Sequence, residues 1–416
     1  MPTNAMKSSH INLAEVDLLD PQLYSHGEPY AVWDVMRRDA PVHWQKVSEE
    51  LGFWSVTRYK DAVKVLKDYN TFTSEQGSLL NLLGMKDPAG GKQMAVTDPP
   101  RHTQIRRPLQ RGFHNNSIDK HEEQLREAIR TLVAPCLEPG GVDFAQAMFE
   151  MSIAVSGCIM QLPEDDWPLL TRLTMMAIAP DDAEYMLPEG SEATLQRAHR
   201  ELFGYFMDMV EQRRRSPGQD LISILMNVEV DGARMDMGTV ISNCYSILLG
   251  ATVTTPHAAS LSFLELVRKD LYREFAAHPE CMDSGIAEVF RWSSPASHFM
   301  RHATRDTEIN GTPIKQGDAV VVWLGSANRD EEVFADPYTF DIRRTPNPHI
   351  AFGSGCHHCI GHTTAKQTMT MLYEELFANY EGFEIIGPVE YLGSNFISGI
   401  KHMPVRGYAR KLQGVE

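Results

Sequence analysis

Apolar residues recur at three- and four-residue spacing through Lys120 to Leu137, Leu195 to Arg215 and Met235 to Leu266, a period that predicts amphipathic helices. Strand-like runs are short and confined to two places. Trp44 to Val56 and Thr312 to Trp323 predict pieces of small sheets, the second with a turn inside the run from Ile314 to Trp323. Neither alternating βαβ units nor an internal repeat is visible, so a doubly wound fold is not expected. The pattern predicts a mainly α fold with minor β, carried by one domain over residues 1–416.

Composition changes this picture little. With 416 residues the chain can bury a sizeable core, and no break in composition or Pro/Gly/Ser linker divides it. Met1 to Asp20 hold neither a basic start nor an apolar run long enough for a signal peptide or membrane span, which predicts a soluble, cytoplasmic protein with no membrane anchor. Six scattered cysteines do not suggest a disulfide framework. A formal charge of −16 argues against nucleic-acid binding, because a phosphate backbone repels such a surface.

The candidate chemistry lies near the end of the chain. Phe352-Gly353-Ser354-Gly355-Cys356-His357-His358-Cys359-Ile360-Gly361 is a glycine-rich loop that offers a cysteine at the start of a predicted helix. Free N–H groups and the positive dipole end of a helix favour a thiolate there, and glycines allow backbone dihedrals that a side chain forbids. A C-x-x-C turn also suits zinc or redox dithiols. Neither finds its other half, since Cys136, Cys158, Cys244 and Cys281 stand alone and far apart.

The run resembles the cysteine-ligand loop of the cytochrome P450 family, F-G-x-G-x-H-x-C-x-G, at every fixed position. The resemblance implies a cytochrome P450 fold, haem b, and Cys359 as the axial iron ligand, with Phe352, Gly353, Gly355 and Gly361 shaping the cofactor loop. A thiolate ligand pushes electron density toward bound oxygen and favours O–O cleavage. Asp98-Pro99-Pro100-Arg101-His102-Thr103-Gln104-Ile105-Arg106 resembles the family's D-P-P-x-H-x-x-x-R segment, so His102 and Arg106 are expected to face the haem propionates, joined by Arg301 and His357. Glu288 and Arg291, three apart, match the family's buried acid–guanidinium pair, with Arg344 or Arg343 completing a structural network.

The oxygen-activating helix departs from pattern. Where the family reads A-G-x-D/E-T-T, this chain has Gly250-Ala251-Thr252-Val253-Thr254-Thr255-Pro256-His257. Gly250 and Ala251 keep space for oxygen, and Thr254 holds the threonine position beside Thr255. Val253 replaces the acid and carries no proton. Pro256 removes a helix donor and frees the Thr252 carbonyl, which predicts a local kink. Protons would then travel through Thr254, Thr255, Thr252 or His257 and water, or delivery would be slowed or reassigned to the substrate.

The implied activity is a haem-thiolate monooxygenase that inserts one atom of O2 into a medium or large apolar organic substrate, such as a terpenoid, steroid, polyketide or fatty chain, by hydroxylation or epoxidation. The alternatives are dealkylation, oxidative cyclisation, or a haem-binding sensor that does not oxygenate. No nucleotide-binding glycine fingerprint is present, so electrons from NAD(P)H are expected through a ferredoxin and its reductase, docking near Arg106, Arg107, Arg111 and Lys366 of a monomer. By resemblance the substrate pocket draws on Leu79, Leu80, Leu82, Leu83 and Met85; Met175, Met176 and Met186; Ile247; His298 and Phe299; and Phe396 with Ile397. That lining is apolar and rich in methionine.

Overall fold

A computed structural model describes residues 11–25, 29–115 and 118–410. It is a helical body with small sheets at its periphery. The stretch predicted over Lys120 to Leu137 is the helix Glu122–Val133, tightened into 3₁₀ turns on both sides at Ile118–His121 and Ala134–Leu137, where Pro135 ends the α pattern. Leu195 to Arg215 lies inside the helix Ser191–Arg215.

Met235 to Leu266 forms two helices rather than one, Met237–Thr252 and Thr255–Arg268. The break falls where Pro256 has no N–H to give the Thr252 carbonyl. Side chains there turn back on the helix, with the hydroxyls of Thr252 and Thr254 donating to the carbonyls of Leu248 and Gly250 at 2.9 and 2.8 Å. Asp236 fixes where the first helix starts, its carboxylate accepting from the Thr239 N–H.

Beneath this pair runs Phe144–Met160, buried on nearly every face because it carries no charged residue except Glu150. Asp143 caps it, and Phe144 stacks on Phe263 of the second kinked helix with ring centroids 3.9 Å apart.

Trp44 to Val56 resolves into an antiparallel hairpin, Val42–Lys46 with Gly52–Val56. A Cβ at Gly52 would come within 2.4 Å of the Trp44 ring, so only glycine admits the indole there. The predicted strands of Thr312 to Trp323 separate into different sheets. Thr312–Ile314 pairs with Thr307–Ile309, whereas Ala319–Trp323 lies in the middle of the five-stranded sheet, parallel to Gly52–Val56 and antiparallel to His298–Ala303. A central strand buried on both faces reads as an unbroken apolar run, and this one is Ala-Val-Val-Val-Trp.

Candidate active site

The cysteine loop is held by its backbone. Cys359 N–H donates to the Phe352 carbonyl at 2.8 Å, and Gly353 N–H to Ile350 at 2.8 Å. Gly353 and Gly355 have φ of 72° and 74°, a region that side chains disfavour. At Gly355 a Cβ would also sit 2.8 Å from the Leu66 carbonyl oxygen, because the loop rests on the end of the helix Tyr59–Lys67. The helix His362–Asn379 starts three residues after Cys359. Burial pushes the Cys359 thiol up, against the Gly361 N–H and the Arg106 charge, which favour the thiolate.

Arg106 turns inward and donates to the His358 carbonyl at 2.6 Å, which ties the Arg101–Asn115 helix to the loop. His102, one turn earlier, lies against His357 with ring centroids 4.5 Å apart. Its Nε2 is buried and has no hydrogen-bond partner among the described residues. Burial, then the charges of His357 and Arg106, brings His102 down to about 3, so the ring is neutral. His357 Nε2 lies 3.4 Å from Asp98 and 3.3 Å from the Ser74 hydroxyl. Burial would raise Asp98, but hydrogen bonds from His357, Thr73 and Ser74 bring it to about 2. Arg301 is buried and donates to the Met300 carbonyl at 2.8 Å. His102 and Arg106, His357, and Arg301 thus converge from three separate segments.

One cavity of about 870 Å³ joins this side to the kinked helix. Cys359, Phe352 and Gly361 line one part, and Gly250, Ala251, Val253, Thr254 and Thr255 another. Nothing lies within 4 Å of where a Gly250 Cβ would point, so the space beside it is open. Ser152, from the buried helix below, donates to the Ala251 carbonyl at 3.0 Å. Its place in an apolar helix gave no sequence signal. His257 does not line the cavity. It is buried against Phe149, and a Cβ at Gly399 would be 2.4 Å from its Nδ1. A proton route through its ring is therefore closed by packing.

The pocket expectations divide. Leu79, Leu80, Leu82, Ile247, Phe299 and Phe396 line the cavity. Leu83, Met175, Met176 and His298 do not. Met175 and Met176 face the core, each 2% exposed, while their neighbours Ala177 and Ile178 reach the cavity, since each helical step turns the side chain by about 100°. His298 is fixed between the Leu80 N–H and the Asn395 carbonyl, 3.2 Å from each, and Leu83 packs on the N-terminal cluster. Met85 and Met186 are exposed and Ile397 is in the core. Of the methionines, Met94 lines the cavity.

Glu288 and Arg291 are both fully buried and joined bidentately, 2.7 Å at each contact. Arg344 completes the network at 3.2 Å from Glu288; Arg343 instead pairs with Glu274 at the surface.

A porphyrin with two carboxylates suits what these residues offer: a sulfur on a fixed loop, a buried imidazole nitrogen without a partner, two inward guanidiniums, and a cavity near the upper end of the size usual for ligand sites.

Comparison with known proteins agrees. The family model described as Cytochrome P450 matches residues 277–385. The chain is 34% identical over 398 residues to "Cytochrome P450 NovI" of Streptomyces niveus, covering 95% of this chain and 97% of that one. It is 30% identical over 400 residues to "Linalool 8-monooxygenase" of Pseudomonas putida, covering 94% and 98%. The crystal structure of P450 OxyD, involved in the biosynthesis of vancomycin-type antibiotics, superposes with a TM-score of 0.84 at 31% identity, covering 95% of this chain and all of that one.

Proposed function

The chain belongs to the cytochrome P450 family, and from that membership we propose that it is a haem-thiolate monooxygenase in which Cys359 would hold the haem iron. The observation that carries this reading is that Cys359 and the Gly250 to Thr254 kink line the same cavity, beside a buried His102 Nε2 that has no partner among the described residues. Haem, when bound, supplies the activation of O2 and the transfer of one oxygen atom.

The protein's part is binding, orientation and proton control. The Gly361 N–H and Arg106 stabilise charge on the sulfur, and His102, Arg106, Arg301 and His357 offer donors for two carboxylates. Gly250 leaves room beside the kink, while Leu82, Ile247, Phe299 and Phe396 exclude water and select apolar carbon. Thr254 holds its hydroxyl proton on the Gly250 carbonyl and presents oxygen lone pairs, so it accepts a hydrogen bond from water.

The substrate is an apolar natural-product-sized molecule such as a terpenoid, in keeping with the relatives named above. Electrons arrive from NAD(P)H through a separate ferredoxin and reductase. Exposed Arg107, Arg111 and Lys366 on a chain of charge −16 form the docking side, whereas Arg106 is turned inward.

The test is the carbon monoxide difference spectrum of the reduced, haem-loaded protein. A thiolate band is expected, and Cys359→Ser should abolish it while Cys356→Ser keeps it. A thiolate band that survives in Cys359→Ser refutes the assignment.

A further inference from the structure

The cavity is not apolar throughout. Where the helix Ser191–Arg215 faces Met237–Thr252, its wall carries His199 and Tyr245, with the imidazole Nε2 3.0 Å from the phenol oxygen. Phe203 packs on both rings, its centroid 6.4 Å from His199 and 5.2 Å from Tyr245. Ser246, the next residue along, also lines the cavity, and its hydroxyl makes no hydrogen bond among the described residues.

This polar group has a fixed relation to the oxidising end. Ser242, Tyr245, Ser246, Leu249, Gly250 and Val253 follow one another at spacings of three and one, so they share the helix face that lines the cavity. That face changes from polar to apolar along its length. From Tyr245 to Gly250 is five residues of unbroken helix, a rise of about 7.5 Å.

Hydrogen counting narrows the ligand. Burial holds His199 below its ordinary value, so the pair has one imidazole N–H and one phenol O–H, and their mutual bond uses one of these. If imidazole donates, Tyr245 keeps an O–H to give; if it accepts, the tyrosine oxygen keeps lone pairs. A ligand hydroxyl, which both donates and accepts, satisfies either arrangement. A hydrocarbon satisfies neither and would desolvate the pair without replacement. Arg200 also borders the cavity, but Asp87 and Asp181 do too, so the wall gives no net preference for an anion.

We propose that His199 and Tyr245, with Ser246, are a specificity-determining anchor for a neutral hydroxyl group on an otherwise apolar substrate, which places the oxidised carbon roughly 7–8 Å along the helix from that hydroxyl. This rests on the monooxygenase reading, which sets Gly250 as the oxidising end.

The test uses haem-loaded protein and three probes, n-decanol, n-decane and decanoate, titrated by the spectral shift that follows displacement of iron-bound water. Decanol is expected to bind about tenfold tighter than decane, the equivalent of one net hydrogen bond. Tyr245→Phe should remove that margin and leave decane within about twofold, and it should widen the spread of oxidised positions on decanol. Equal binding of decanol and decane to the parent protein overturns the proposal, as does a Tyr245→Phe loss of the same size for both. Tightest binding of decanoate, weakened by Arg200→Ala, also overturns it and moves recognition to the guanidinium. The reduced carbon monoxide spectrum is recorded on every sample. If the thiolate band is absent, the underlying reading fails; if it is present without discrimination, only the anchor fails.

Discussion

Glu288 is the residue whose loss should be felt most widely, although it lies outside the cavity. Its carboxylate accepts two bonds from Arg291, and others from Arg344, the Asn347 amide and the Asp341 N–H. Burial alone would raise its pKa, but these donors, Arg291 first, hold it below the ordinary value. Glu288→Leu leaves the Arg291 guanidinium charged and buried without a counter-ion, and breaking such a pair costs about 3–5 kcal/mol. The informative variant is the double change Glu288→Leu with Arg291→Met. An isolated buried ion pair can be replaced by apolar residues at little cost or with a gain. Here Arg291 also donates to the carbonyls of Asn328, Pro337 and Thr339. Those carbonyls lose the Arg291 donor, and the three further donors on Glu288 lose their acceptor, in the double variant. At about 1 kcal/mol each, it should remain several kcal/mol less stable than the parent. Equilibrium urea unfolding followed by far-ultraviolet circular dichroism reads both variants, with the slope checked for constancy. A double variant as stable as the parent would falsify the view that the network works by organising backbone carbonyls. Because the folded pKa is depressed, this stabilisation is present above the ordinary glutamate value and is lost as pH falls through the folded one.

Other expectations follow from single positions. Gly355→Ala should cost more than Gly311→Ala: both have φ near 75°, but only at Gly355 does a Cβ meet backbone, so equal losses in urea midpoint would discount the contact with Leu66. Val253→Asp puts a carboxyl on the cavity wall at a 2% exposed position and should raise the fraction of electrons that reach product, at some expense of stability; unchanged coupling shows that the missing acid has no mechanistic weight. Burial would lower His402, but Asp143 at 2.6 Å and Glu184 at 3.1 Å raise it, so its stabilisation is full below the ordinary histidine value of about 6.5 and fades as pH climbs through the folded value. His402→Gln should flatten that part of the stability–pH curve, and an unchanged curve would rule the bridge out as its source.

What was legible in the sequence is what is local in the chain. The loop from Phe352 to Gly361 and the one-turn spacing of His102 and Arg106 depend on near neighbours, and so could be read before any fold was known. Glu288 and Arg291 were likewise legible as a pair, but the choice of Arg344 over Arg343 depends on how residues 335–344 wrap the pair. The cavity wall was legible only in part because it is a question of rotation. Met175 and Met176 lie one to three residues from Ala177 and Ile178, which do line it, and a periodic apolar helix does not say which of two adjacent faces meets solvent space and which meets core. His298 was misplaced for a related reason. Its strand is correctly near the site, but alternate residues point to opposite faces, and Phe299 takes the cavity side.

The same distinction bears on the distal chemistry. Pro256 makes a break in the helix predictable, yet which groups satisfy the carbonyls near it is a tertiary matter. Thr254 closes on Gly250 from within the helix, and Ser152 closes on Ala251 from the helix beneath. Both hydroxyl protons are therefore committed to backbone oxygens, and neither is free to move toward the cavity without breaking a bond of 2.8–3.0 Å. With valine at 253 and His257 sealed behind Phe149, Thr255 is left as the hydroxyl of the kink that lines the cavity and makes no hydrogen bond among the described residues. In the monooxygenase reading, Thr254 thus orders water by accepting from it, and the proton enters through the Thr255 hydroxyl, with that water, or with a hydroxyl on the substrate. An anchored substrate hydroxyl some 7–8 Å away along the helix is too remote for direct transfer, which leaves Thr255 and water as the carriers and makes exclusion of that water by an ill-fitting ligand the route to uncoupled turnover.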